Sequence, residues 1–190
     1  FSVKSFFTKR GEKDPTENFG WDYVLVDNDK IVNAWCMPGG KIAVYTGLLK
    51  VTKNKDALSI VMGHEIAHAV ARHSAERAST AMLADLGTMA LEQLVLGQRL
   101  PKAAGYVRQF GLNLPFNRRQ ESEADYLGLI FMSLAGYDVN ESYKIWERMK
   151  EDSGSGPAEF FSTHPSPDNR IKKLKEWIPL VNAQYPAIKV

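Results

Sequence analysis

The chain has 190 residues, 44% of them hydrophobic and 24% charged, and a formal net charge of +2. These are ordinary globular proportions, enough for one compact domain with a sizeable core. The interspersed charge gives no ground for a nucleic-acid or strongly anionic partner, and a lone cysteine, Cys36, excludes an internal disulfide.

The chain opens on Phe1 rather than Met, as expected of a trimmed or processed form whose leader or anchor has been removed. Residues 1–18 read as an arm or a short helix. Tyr23-Val24-Leu25-Val26 is strand-like, Asp27-Asn28-Asp29 is turn chemistry and Ile31-Val32 resumes the apolar run, which predicts a hairpin. Residues 33–46 read as strand, Pro38-Gly39-Gly40 turn and strand, with Pro38 confined to a turn or edge. An edge strand of this kind binds extended peptides by strand addition. Gly47-Leu48-Leu49 leads into a short helix. Asn54 is then placed to N-cap a longer one, with Asp56 in its first turn and an apolar stripe through Leu58, Val61, Met62, Ile66, Ala69 and Val70.

That helix carries His64-Glu65-Ile66-Ala67-His68. The two histidines lie one turn apart on nearly one face, the spacing at which two imidazoles close on one metal ion. Glu65 projects about 100° to the side, where a carboxylate can deprotonate a water held by the metal. The competing reading is a surface helix that happens to carry two histidines. His73 is turned about 140° from the ligand face and reads as a hydrogen-bonding residue rather than a ligand. Gly63 costs roughly 1 kcal/mol relative to Ala in a helix interior; its place beside His64 fits the close approach of another segment, the competing reading being an incidental glycine.

Residues 75–100 form a long Ala- and Leu-rich helical region. Its apolar stripe is expected in the core, and the stretch 78–96, interrupted by Asp85 and Glu92, reads as a buried or partner-facing helix rather than a membrane span. Residues 101–115 read as a helix with loop ends. The next helix, 121–136, puts Glu121 and Asp125 on one face and Glu123 elsewhere. A catalytic zinc held by two histidines needs a third protein ligand, which Glu121 can supply, while Asp125 is placed to accept the free N–H of a ligating imidazole. Dipole compensation is the competing role for such first-turn acids. An amphipathic helix over 138–150, a flexible loop at 153–157 and a final helix over 167–179, with Ile171, Leu174 and Trp177 inward, complete the chain.

In this order, Asn33-Ala34, Gly47-Leu48-Leu49, His64 to His73, Leu114-Pro115-Phe116 with Arg118 to Asp125, and Thr163-His164-Pro165 to Arg170 resemble peptidase family M48. Its members are zinc metallopeptidases, among them the membrane-embedded CaaX-processing and HtpX-like proteases. The resemblance implies an α+β, mainly helical zincin domain of gluzincin type spanning 1–190, with a small N-terminal β-sheet whose edge strand lies near the metal. It implies one zinc per chain on His64, His68 and Glu121, Glu65 as the catalytic base, Asp125 supporting a ligand, and Asn33-Ala34-Trp35 as the substrate-binding edge. His164 falls in the family's late His-Pro segment, either donating to a developing oxyanion or ligating zinc in a closed resting state. The implied activity is endopeptidase hydrolysis by a metal-activated water, in protein processing or quality control of the bacterial cell envelope, on the periplasmic side. Extended or unfolded polypeptides are the implied substrates, with membrane association through a preceding N-terminal segment. The alternative is a zinc-stabilised, chaperone-like or latent module that holds extended chains without cutting them.

Overall fold

The computed structural model describes residues 2–96, 116–151, 158–164 and 167–188. Helix α1 (Ser2–Lys9) is followed by strands β1 (Asp22–Val26), β2 (Ala34–Met37) and β3 (Lys41–Tyr45) and by helices α2 (Thr46–Thr52), α3 (Lys55–Val70) and α4 (His73–Leu96). Helices α5 (Arg118–Leu134), α6 (Glu141–Glu151), α7 (Ala158–Thr163) and α8 (Pro167–Gln184) complete the described elements. The architecture is α+β and mainly helical, with one small mixed sheet of order β1-β3-β2.

The β2–β3 hairpin forms as expected, because Gly39 and Gly40 take the left-handed conformations, φ +92° and +87°, that its turn demands. The expected hairpin after β1 does not form. β1 pairs in parallel with β3, from Asp22 opposite Lys41 to Val26 opposite Tyr45, and Ile31 and Val32 lie outside any strand. The turn chemistry at Asn28 is real, since its side chain accepts the Lys30 N–H and its carbonyl accepts from Ile31 and Gly47, but it opens a crossover rather than a return strand. β2 therefore lies at one edge of the sheet, as the resemblance implied.

α3 starts where predicted: the Asn54 side chain accepts the Ala57 N–H at 2.7 Å. It is buried on nearly every face rather than along one stripe, which makes it the central helix. β2 packs on one side of it and α5 on another. α5 is opened by a capping box between Asn117 and Gln120. α3 and α5 cross at Gly63 and Gly128, where a Cβ on Gly63 would sit 2.9 Å from the Gly128 carbonyl oxygen. The close approach read from Gly63 is thus present. Trp146, Phe160, Leu129, Ile130, Met149 and Leu174 fill the core around this crossing.

Two further expectations change. α8 runs through Pro179 to Gln184, because the buried Ile178 and Val181 hold the helix across the single backbone bond that proline cannot make. The α4 stripe is not core over its first half: Met82, Leu83 and Leu86 are 60%, 70% and 60% exposed. Among the described residues no helix is long and apolar enough to cross a membrane. The helix read over 101–115 and the loop read over 153–157 lie outside the described residues.

Candidate metal centre

α3 carries His64, Glu65 and His68 into the interior, and the glycine crossing brings α5 close enough for Glu121 to meet them. His164, directly after α7, closes the group. His64, His68, Glu121 and His164 are all buried, and each offers one ligand atom within 4.8 Å of the others. His64 Nε2 lies 3.0 Å from His68 Nε2 and 3.2 Å from His164 Nδ1. Glu121 Oε1 lies 3.0 Å from His164 Nδ1 and 3.4 Å from His68 Nε2, and Glu121 Oε2 is 3.6 Å from His64 Nε2.

These separations test the fit of a metal. Four donors about 2.0–2.1 Å from a zinc ion in a tetrahedron stand about 3.3 Å apart. The observed edges scatter around that value, and three imidazoles with one carboxylate are a donor set that zinc, a borderline-soft ion, accepts. Protonation agrees. Burial, and next the Arg170 charge, push His64 well below the ordinary histidine range, and burial brings His68 down to about 4. Burial opposes the Glu121 charge, but hydrogen bonds from His164 and His68, whose protons a bound cation would displace, outweigh it and hold the carboxyl well below its usual range. Neutral imidazoles facing an ionised carboxylate are the protonation state a cation requires.

The surrounding contacts orient these groups. Asp125 Oδ1 is 3.0 Å from His64 Nδ1, the acceptor that an Nδ1–H tautomer needs if the Nε2 lone pair is to face the cluster, and Arg170 Nη2 lies 3.2 Å from the same Nδ1. Arg170, also buried, forks onto Asp125 with Nε–Oδ2 at 2.8 Å and Nη2–Oδ1 at 2.7 Å, and reaches Glu121 Oε2 with Nη1 at 2.9 Å. Burial works against its charge, but Asp125 and Glu121 prevail and raise its pKa. His68 Nδ1 meets His73 Nδ1 at 2.8 Å, so His73 is a hydrogen-bonding partner and not a ligand. Phe116 stacks on His68 at 3.7 Å and Phe160 on His164 at 4.5 Å, which walls the group with apolar rings.

Glu65 stands beside the cluster. Its Oε1 is 3.4 Å from His164 Nε2 and has no hydrogen-bond partner among the described residues. Burial pushes its carboxyl up to about 7, against the pull of His164 and of the Cys36 backbone on β2. Tyr45 donates its N–H to Asn33, so by alternation Ala34 and Cys36 turn their backbone groups to the free edge of β2. The Asn33 side chain accepts the Ala34 N–H, and Trp35 faces the other side of the sheet. His64, His68, Glu121 and His164 thus come together, with Glu65 and Asp125 beside them, while of the expected edge residues Ala34 lies in the strand that packs on α3 and Trp35 turns away from it. Phe160 was not singled out by sequence reasoning, and Arg170 and Phe116 were quoted only within segments of the resemblance, with no role at the site. Arg170 closes the quoted His-Pro stretch, and that position was its only signal.

Residues 7–178 match the family model described as Peptidase family M48. Among curated proteins, the mitochondrial metalloendopeptidase OMA1 of Schizosaccharomyces pombe is 43% identical over 162 residues, covering 84% of this chain and 47% of that protein. OMA1 of Arabidopsis thaliana is 41% identical over 161 residues, covering 84% and 32%. A putative beta-barrel assembly-enhancing protease of Vibrio cholerae is 30% identical over 179 residues, covering 85% and 35%. The chain thus spans less than half the length of these relatives.

Proposed function

The chain belongs to peptidase family M48, and from that membership we propose that it is a zinc-dependent endopeptidase whose metal rests on His64, His68 and Glu121. The observation that carries this reading is the convergence of buried donors at tetrahedral spacing beside a carboxylate poised near neutrality. A bound zinc ion would supply Lewis acidity, lowering the pKa of water and polarising a carbonyl. The chain's own residues supply the rest. Glu65 Oε1, free of other partners, takes a proton from water and returns it to the leaving amine, work suited to a group titrating near the ambient pH. Arg170 and Asp125 hold Glu121 and His64 in place. The outer edge of β2 aligns an extended peptide next to Glu65, with the Ala34 N–H released from the Asn33 side chain and the Cys36 backbone shared with Glu65.

His164 takes a donor position with Nδ1 and turns Nε2 toward Glu65. We assign it to closing the resting site, with its withdrawal opening a position for water and leaving Nε2–H to stabilise the oxyanion. The second reading, a zinc-stabilised module that holds extended chains without cutting them, is favoured by the same observation, since four protein ligands are the mark of a structural zinc. Polypeptides are the substrates under either reading, in processing or quality control. A bacterial-envelope location follows the resemblance. A mitochondrial one follows the names of the OMA1 relatives, and the two share the same site chemistry.

Metal content and peptidase assays on purified protein decide between these readings. One zinc per wild-type chain, little in Glu121→Ala, and zinc with turnover reduced by at least about 10²-fold in Glu65→Gln are expected. Undiminished turnover in Glu65→Gln overturns Glu65 as the base. Equal capture of unfolded chains by wild type and Glu65→Gln, with no cleavage by either, selects the holding module.

A further inference from the structure

The two histidines of α3 are oriented by different partners. His64 has the carboxylate of Asp125 on its Nδ1, whereas His68 has another imidazole, that of His73. In an uninterrupted helix His73 would point about 140° away from His68. It comes back because α3 ends at Val70 and Arg72 takes a left-handed conformation, φ +59°, before α4 starts at His73. A non-glycine residue at positive φ is uncommon and costs roughly 1–2 kcal/mol, a strain that persists where the surrounding structure requires it.

The Nδ1–Nδ1 distance of 2.8 Å admits one proton between the rings. His68 Nε2 faces Glu121 and His64 in the ligand cluster and must keep its lone pair there, so the proton belongs to His68 Nδ1 and His73 Nδ1 accepts it. His73 then carries its own proton on Nε2, which lies 3.6 Å from Glu123 Oε2. Glu123 is half-exposed and His73 is buried, so the negative end of this relay faces solvent and its neutral ring faces the site.

We propose that His73 is the positioning residue of His68 in the metal centre. It fixes the tautomer and ring orientation of His68 by accepting its Nδ1–H, with Glu123 selecting the complementary tautomer of His73. This rests on the zinc reading above. It gives the break between α3 and α4 a purpose and assigns Glu123, off the face of Glu121 and Asp125, a part in the site.

Zinc affinity measured by chelator competition tests it, with wild type beside His73→Leu, which keeps the buried volume, and His73→Asn, whose Oδ1 can replace the accepting Nδ1. His73→Leu is expected to bind zinc about 10–100-fold more weakly, with His73→Asn within about threefold of wild type. Both variants binding like wild type, or both equally weakened, overturns the proposal while leaving the zinc site intact. Wild type that binds no zinc overturns the zinc reading itself and the proposal with it. Long-range ¹H–¹⁵N spectra of the zinc-loaded wild-type protein provide a check that does not depend on a variant folding. They are expected to show His68 protonated at Nδ1 and His73 at Nε2, and His73 protonated at Nδ1 overturns the assignment.

Discussion

Arg170 shows how much of this site rests on one residue. Its guanidinium serves Asp125 and Glu121 together and lies 3.7 Å over the Trp146 ring. Replacing it with Met leaves two carboxylates buried without their cation, a loss of about 3–5 kcal/mol. A urea denaturation midpoint that falls accordingly, together with reduced zinc content, is the expected result; an unchanged midpoint would show that Asp125 and Glu121 find other partners. Cys36 behaves in the opposite way. Burial, and next the negative Glu65, push its thiol up to about 12. A raised acid pKa means that the neutral form persists at neutral and mildly alkaline pH. At pH 8 its thiolate fraction is roughly a thousandfold below that of an ordinary cysteine, so iodoacetamide should label it only after unfolding. Rapid labelling of the native protein would mean that β2 opens away from α3.

At the scale of elements, the α3–α5 crossing sets the reach of Glu121. A Cβ at Gly128 would stand 2.8 Å from the His64 backbone nitrogen, and one at Gly63 would meet the Gly128 carbonyl. Gly128→Ala and Gly63→Ala should each destabilise by about 1–3 kcal/mol through overpacking, although alanine favours an isolated helix. Because both push on the same contact, the double variant should lose less than the sum in chemical denaturation; strict additivity would place the strain elsewhere. Much of this region was legible in advance, because its signals are local. The i, i+4 pairs His64 and His68, and Glu121 and Asp125, declare their shared faces within one helical turn, and Asn54 declares the start of α3. The parallel pairing of β1 with β3 was not legible, since the alternation of Tyr23 to Val26 specifies a strand but not a partner 19 residues away in register. Nor was the turn at Arg72, because nothing in Ala71-Arg72-His73 marks a left-handed residue as a glycine would. The exposure of Met82, Leu83 and Leu86 also escaped prediction, since periodicity reveals that a helix has an apolar side without revealing what covers it.

Across the whole molecule, the proposed ligand atoms come from three places: His64 and His68 from the central helix, Glu121 from α5, and His164 from the far side of α7. A metal at that point would be a cross-link as well as a catalyst. α3 is secured independently by core contacts along its length, and α5 by the glycine crossing. Among the described residues, the six-residue α7 is attached through Phe160 in the core, where it meets Trp146, and through the Thr163 carbonyl accepting the Phe116 N–H at 3.0 Å. Metal removal should therefore act unevenly. With zinc at about a thousand times its dissociation constant, binding stabilises the fold by about 4 kcal/mol, a fall of roughly 8–16 °C in Tm on chelation for a domain of this size. Hydrogen exchange should rise first at residues 158–164 and last in α3, since local opening follows the least buried connections. Uniform loss of protection would mean that the site and the core open together. Unchanged exchange at residues 158–164 would mean that His164 contributes nothing to holding α7, leaving zinc to be held by α3 and α5 alone.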